Sequence, residues 1–226
     1  MQHAVVFDMD GTLLDSVPVV SRAYADAIRA LGGPVVTPDE VVAGWHVGHT
    51  ELVLSRFTGR SCGPAEAERF HEFLDPALAE LQPFPGIPEL LDGLAAAGLR
   101  LGVFTAATRR AAVGMLAAAG IDSRFEVVVA GDEVARPKPA PDGLLLAGQR
   151  LGAPVRATVY VGDAEVDLGC ARAAGTLGVH AGWGARPGVR VGSHRVAASP
   201  GDLIGLLGGL AEGGLRPCWP ESPQLP

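Results

Sequence analysis

Ala4-Val5-Val6-Phe7-Asp8-Met9-Asp10-Gly11-Thr12-Leu13-Leu14-Asp15-Ser16 is the stretch from which the fold can be read. Four apolar residues stop at Asp8, and a glycine follows at position 11. A short apolar run closed by an acid and a glycine predicts a buried strand that ends in a loop. The pattern recurs at Leu101–Phe104, Val127–Ala130, Thr158–Val161 and Leu177–His180. Helical spacing lies between these runs, at Ile87–Ala97, Thr108–Ala119, Pro141–Leu151 and Ala164–Ala174. Strands alternating with helices of this length predict βαβ units, hence an α/β fold with a Rossmann-like parallel-sheet core.

Residues 16 to 83 break the alternation. They read as helices without strands: Val17–Leu31, a short one from Pro38, one around Thr50–Phe57, and Pro64–Leu81. Thr37-Pro38-Asp39-Glu40 is a strong helix start, with a capping hydroxyl, proline in the first turn and acids beside it. Pro83, Pro85 and Pro88 mark the return. The expected division is a core of 1–15 and 84–207, an inserted α-helical unit of 16–83, and a Gly- and Pro-rich disordered tail of 208–226.

Composition narrows the function. The 226 residues are 48% hydrophobic and 19% charged, enough for one large domain with an insertion. A net charge of −7 without a basic run excludes nucleic acid as the expected partner. No apolar run reaches the length of a membrane span, and the N-terminus lacks a signal-peptide pattern. Cys62, Cys170 and Cys218 are odd in number and far apart, which fits a reducing cytoplasm rather than a disulfide framework. Of 18 basic residues, 17 are arginine, and the one lysine is Lys138; asparagine is absent. Codon bias explains the scarcity of lysine but not its retention at 138. Lys138 follows a proline, so no Walker-type phosphate loop exists. The sequence carries no signal for oligomeric state.

The chemistry gathers at strand ends. Asp8 and Asp10 follow the first strand; Asp163 and Asp167 follow Thr158–Val161. In a parallel sheet the C-terminal strand ends form the ligand crevice, so both pairs are expected to converge there. Close carboxylates repel unless a cation lies between them, and an all-oxygen set suits Mg²⁺. A surface Asp is more often a turn or capping residue; two pairs directly after buried strands weaken that reading. Thr105 follows Leu101–Phe104, and Lys138 lies in the loop after Val127–Ala130. A hydroxyl, backbone N–H groups and an ammonium on the same rim suit a phosphate.

These residues together resemble the haloacid dehalogenase (HAD) superfamily. Asp8-Met-Asp10-Gly-Thr-Leu-Leu-Asp-Ser16, Thr105, Lys138 within Arg136-Pro-Lys-Pro-Ala-Pro-Asp142, and Gly162-Asp163-Ala-Glu-Val-Asp167 match its four motifs in order. The likeness spans about residues 4 to 185 and includes the helical insertion as a cap. The nearest branch is that of phosphoglycolate and small sugar-phosphate phosphatases, with β-phosphoglucomutase-like relatives. The resemblance implies a Mg²⁺-dependent phosphatase acting on a small phosphorylated metabolite. Asp8 is then the nucleophile that forms an aspartyl-phosphate, and Asp10 the general acid and base. Mg²⁺ is held by Asp8, the Asp10 backbone carbonyl and Asp163, with Asp167 ligating through water or orienting Lys138. Thr105, the Ala106 N–H and Lys138 stabilise the transferring phosphoryl oxygens.

Departures from the family pattern sharpen this. Many relatives carry Asn where this chain has Ala106. Dehalogenases lack the second Asp of the first motif, so Asp10 argues against dehalogenation. Mutases carry a His twelve residues after the nucleophile and a cap lysine; here the position is Val20 and the cap has no lysine. Phosphonoacetaldehyde hydrolases need that lysine too. A phosphomutase is the alternative to the phosphatase, and a non-catalytic binding module on the same fold is a third reading that the intact acids oppose. In the cap, Trp45-His46-Val47-Gly48-His49 falls where relatives place a specificity loop, making Trp45, His46 and His49 candidates for substrate contact. Arg56 and Arg109 are weaker candidates for an anionic group. Gly59-Arg-Ser61-Cys-Gly63 matches a nucleophile-elbow pattern, but no strand precedes it, and a turn is expected.

Overall fold

The computed structural model describes residues 3–184 and 195–208. Its six strands, β1 (Ala4–Phe7), β2 (Arg100–Phe104), β3 (Val127–Val129), β4 (Thr158–Gly162), β5 (Leu177–Ala181) and β6 (Arg195–Ala197), form one parallel sheet in the order β3-β2-β1-β4-β5-β6. Burial follows this order. β1, β4 and β5 are buried along their whole length, and such strands must read as unbroken apolar runs. The edge strands β3 and β6 keep partly exposed residues.

Alternation along each strand feeds two cores. Val5, Phe7, Val103 and Val161 point to one face, where they meet Leu90 and Leu94 of α5 (Ile87–Ala96) and Met115 of α6 (Arg109–Ala118). Val6, Phe104 and Tyr160 point to the other, against Leu144 of α7 (Asp142–Arg150) and Ala171 of α8 (Glu165–Ala174). Helix α9 (Pro200–Gly208) completes the first face with Leu203 and Leu207. The fold is α/β with a Rossmann-like parallel core.

Between β1 and α5 the described chain is helical: α1 (Val17–Ala30), α2 (Pro38–Gly44), a 3₁₀ turn at Trp45–Val47, α3 (Thr50–Thr58) and α4 (Pro64–Ala77). Thr37 caps α2 in a reciprocal box, its hydroxyl accepting from the Glu40 N–H while Glu40 accepts from the Thr37 N–H. The segments that lead in and out pair with each other. Asp15 N–H donates to the Gln82 carbonyl and Phe84 N–H to that of Leu13, each at 3.0 Å. The first apolar cluster continues through Leu13, Leu14 and Leu81 into Tyr24, Leu54, Phe70 and Leu74, so helical insertion and sheet share one core.

Gly59–Gly63 joins α3 to α4 as a turn, with Gly59 at φ 70°. Pro64–Leu81 ends earlier than its spacing suggests, because Pro76 lies at its end and a separate 3₁₀ turn, Leu78–Glu80, follows. Among the described residues, no helix is long and apolar enough to cross a membrane. Gly208 closes α9, and the remainder of the tail, like Cys218, lies outside the described residues.

Candidate active site

Sheet register decides which residues meet. Phe7 pairs with Val103 on one side and Val161 on the other. Asp8 therefore emerges level with Phe104 and Gly162, and its N–H still donates to the Val161 carbonyl at 2.8 Å. Thr105 and Asp163 follow one residue further on, just past the ends of β2 and β4. The chain leaves β1 to build β2 and β3 on one side and β4 to β6 on the other, so Asp8 stands at the topological switch point.

At that point Asp8, Asp163 and Asp167 bring carboxylate oxygens within 4.8 Å of one another, all three buried. Lys138, 7% exposed, lies among them. Its Nζ donates to Asp8 Oδ1 at 2.6 Å and to Asp167 Oδ1 at 2.8 Å. The ammonium stands 5.0 Å from the centre of the Phe104 ring and 5.5 Å from that of Tyr160. Burial alone would lower its pKa, but the charges of Asp167 and Asp8 outweigh this and hold it above the usual lysine range. Burial, and next the charge of Asp167, push the Asp8 carboxyl well above the ordinary range, with Lys138 pulling the other way.

The supporting contacts are local. Thr12 Oγ1 donates to Asp163 Oδ1 at 3.1 Å, and Ser16 Oγ donates to Asp10 Oδ1. Asp167 sits in the first turn of α8, where its Oδ2 accepts the Ala164 N–H at 3.0 Å. Thr105 Oγ1 accepts the Ala107 N–H at 3.1 Å. Gly11 has φ 81°, and a methyl group there would lie 2.6 Å from Asp163 Oδ2. Gly11→Ala is thus expected to cost about 1–3 kcal/mol, from left-handed strain plus displacement of a buried carboxylate. Urea unfolding of the two proteins measures it; an unchanged midpoint would mean that the loop has room to give.

A cavity of about 400 Å³ opens over this cluster, between the sheet edge and the helical insertion. Asp8, Asp10, Thr105, Ala106, Lys138, Asp163 and Asp167 all line it. Of the candidates in the insertion, Trp45 also lines it. His49 does not: its Nδ1 faces Glu51 Oε2 at 2.6 Å. The His46 side chain lies outside the description. Arg56 and Arg109 are absent from the wall, and Arg109 is bound to Glu133 and the Val128 carbonyl. Cys62 and Cys170 are buried free thiols, Cys170 pushed up to about 12 by its burial.

One participant escapes the sequence. Tyr160 is fully buried, and its hydroxyl lies 3.0 Å from the Phe104 carbonyl and 3.2 Å from Asp167 Oδ1. An aromatic residue in an apolar run reads as core, and nothing local marks its hydroxyl as part of the site.

The donor set suits a divalent cation. Three buried carboxylates face one buried ammonium, a formal excess of two negative charges. All the side-chain donors are oxygens, the ligand type preferred by Mg²⁺ and Ca²⁺.

Residues 2–175 match the haloacid dehalogenase-like hydrolase family. The phosphoglycolate phosphatase of Xanthomonas campestris is 34% identical over 192 residues, covering 82% of this chain and 86% of its own. The N-acetylmuramic acid 6-phosphate phosphatase of Pseudomonas aeruginosa is 36% identical over 178 residues, covering 76% and 78%. Among solved structures, CbbY from Rhodobacter sphaeroides in complex with phosphate superposes with a TM-score of 0.79 at 27% identity, covering 90% of this chain and 96% of that one.

Proposed function

The chain belongs to the haloacid dehalogenase-like hydrolases and is a phosphatase of that family, and on this premise we propose that it hydrolyses a small phosphate monoester through an aspartyl-phosphate on Asp8, with Mg²⁺ as cofactor. The observation that carries the reading is the convergence of Asp8, Asp163, Asp167 and Lys138 at the switch point beneath a cavity.

In the first step an Asp8 carboxylate oxygen attacks phosphorus. The Asp8–phosphorus bond forms as the ester P–O bond breaks, and Asp10 donates a proton to the departing alkoxide. In the second step Asp10 takes a proton from water, whose oxygen attacks the same phosphorus; inorganic phosphate leaves and Asp8 is restored. Ser16 fixes one oxygen of Asp10, which holds its carboxyl toward the cavity. Lys138, Thr105 and the Ala106 N–H meet the charge on the transferring oxygens. Asp167 and Tyr160 position Lys138 from behind. The cation would be held by Asp8, the Asp10 carbonyl and Asp163, with Asp167 beside them; when bound it supplies positive charge against the phosphoryl oxygens.

Residues 16–83 serve as the cap over this site, with 1–15 and 84–207 as the core. The two buried free thiols support a reducing, cytoplasmic setting. At position 20, where the mutases that the chain resembles carry a His, Val20 lines the cavity, which favours the phosphatase over the phosphomutase.

Released phosphate from an aryl phosphate tests the activity: Mg²⁺ supports turnover and chelation abolishes it. Binding is read without turnover. At 100 times its Kd, Mg²⁺ is expected to stabilise the fold by about 2.7 kcal/mol, seen as a rise in Tm. Asp163→Asn should remove most of that rise; an equal rise in the variant would exclude Asp163 as a ligand.

A further inference from the structure

We propose that the ester taken by this site carries an uncharged alcohol with a ring-sized apolar body rather than a second anionic group. The proposal rests on the phosphatase reading and adds the chemistry of the leaving group.

The cavity is divided by polarity. Its floor holds the acids and Lys138, while Val20, Trp45, Val53, Phe70 and Met115 line it from the insertion and α6. Phe70 stacks on Tyr24 with ring centroids 4.1 Å apart, and both line the cavity. The Tyr24 hydroxyl is 3.1 Å from Thr50 Oγ1, so these two hydroxyls of the wall face each other. Among the described side chains, Lys138 is the one cation on the lining, and it is at the phosphate end.

Of the basic side chains nearby, Arg56 does not line the cavity, and two others face acids. Arg110 of α6 binds Glu68 and Asp75 of α4, and His49 faces Glu51. Glu165 lines the cavity as well and adds negative charge. A carboxylate or second phosphate on the alcohol would lose its water against apolar walls and meet no counter-charge from the described side chains there, which is costly. An apolar ring would instead bury its surface against Trp45 and Phe70. Size agrees: about 400 Å³ corresponds to roughly a dozen waters at ~30 Å³ each, more than a phosphoryl group and a two-carbon acid need.

The experiment compares benzyl phosphate, 4-carboxybenzyl phosphate and 2-phosphoglycolate under Mg²⁺, reading kcat/KM from released phosphate. The benzyl pair shares its ring and its leaving oxygen and differs by one charge. Benzyl phosphate is expected to exceed both acids by at least about tenfold. Ala43→Arg places a cation at an exposed position of α2 that lines the cavity, and is expected to narrow the ratio within the benzyl pair at least about fivefold. Equal or reversed preference in the parent protein, or hydrolysis of phosphoglycolate alone, overturns the inference and leaves the phosphatase reading standing. No turnover of any ester overturns both. A preference for benzyl phosphate that Ala43→Arg leaves unmoved would show that the charge of this wall does not set it, and would overturn the argument too.

Discussion

Asp8→Asn is expected to lower kcat by at least about 10⁴-fold, the scale on which a nucleophile acting within a catalytic unit is lost. An amide has nearly the shape of the carboxylate, so the site should keep its geometry while losing the oxygen that attacks phosphorus. Stability should hold or rise. Asp8 is buried beside Asp167, and both burial and that charge disfavour its ionised form. Neutral Asn removes the repulsion, and Lys138 keeps its bond to Asp167 at 2.8 Å. The variant therefore separates function from folding, as expected where an active site is maintained at a cost in stability. Phosphate release from an aryl ester together with a urea melt provides both readings. Wild-type turnover in a folded variant would refute the aspartyl-phosphate mechanism. Lost turnover with a collapsed melt would mean that Asp8 is structural first. Asp10→Asn should leave the nucleophile in place and reduce turnover less, by about 10²–10⁴-fold.

The sequence showed the site floor better than its roof, for a physical reason. β1 announces itself because a strand covered on both faces is unbrokenly apolar, and the acid that ends it must reach the sheet edge. Asp163 and Thr105 follow by the same logic from β4 and β2. β6 is not legible in the sequence: only three residues long and at the edge, Arg195–Ala197 has no apolar run to read. Tyr160 was hidden because its ring belongs to the core and only its hydroxyl to the site. The roof depends on separate elements. Val20, Val53, Phe70 and Met115 come from α1, α3, α4 and α6, and each reads as the buried face of its own helix. Only packing brings them around one cavity. His49 shows the reverse case: its place near the expected specificity loop is legible, while its contact with Glu51, two residues on, depends on the local fold.

Lys138→Arg is expected to lower kcat by about 10²–10³-fold, equivalent to roughly 3–4 kcal/mol of lost transition-state stabilisation, although the charge is unchanged. In this chain 17 of 18 basic residues are arginine, so arginine is what its composition favours at any cationic position. The geometry explains why lysine persists here. A compact ammonium fits between Asp8 at 2.6 Å and Asp167 at 2.8 Å, with the Phe104 and Tyr160 rings 5.0 and 5.5 Å away. A guanidinium is longer and planar, and spreads its donors over a fork that suits a single bidentate partner. In a buried pocket closed by two rings, it must push Asp8 from its line of attack or withdraw from Asp167. Because the variant keeps a positive charge, it should destabilise the fold less than Lys138→Met, which leaves buried carboxylates without their cation and should cost about 3–5 kcal/mol. Turnover and urea unfolding of both variants distinguish the two effects. If Lys138→Arg retains near-normal turnover, positive charge alone suffices, and the single lysine has no catalytic meaning. If Lys138→Arg unfolds as readily as Lys138→Met, the residue is a structural tie between Asp8 and Asp167 rather than a phosphate ligand. A folded, metal-binding Lys138→Arg protein with turnover reduced about 10²-fold or more would show that the site needs a point charge at the position where Nζ stands.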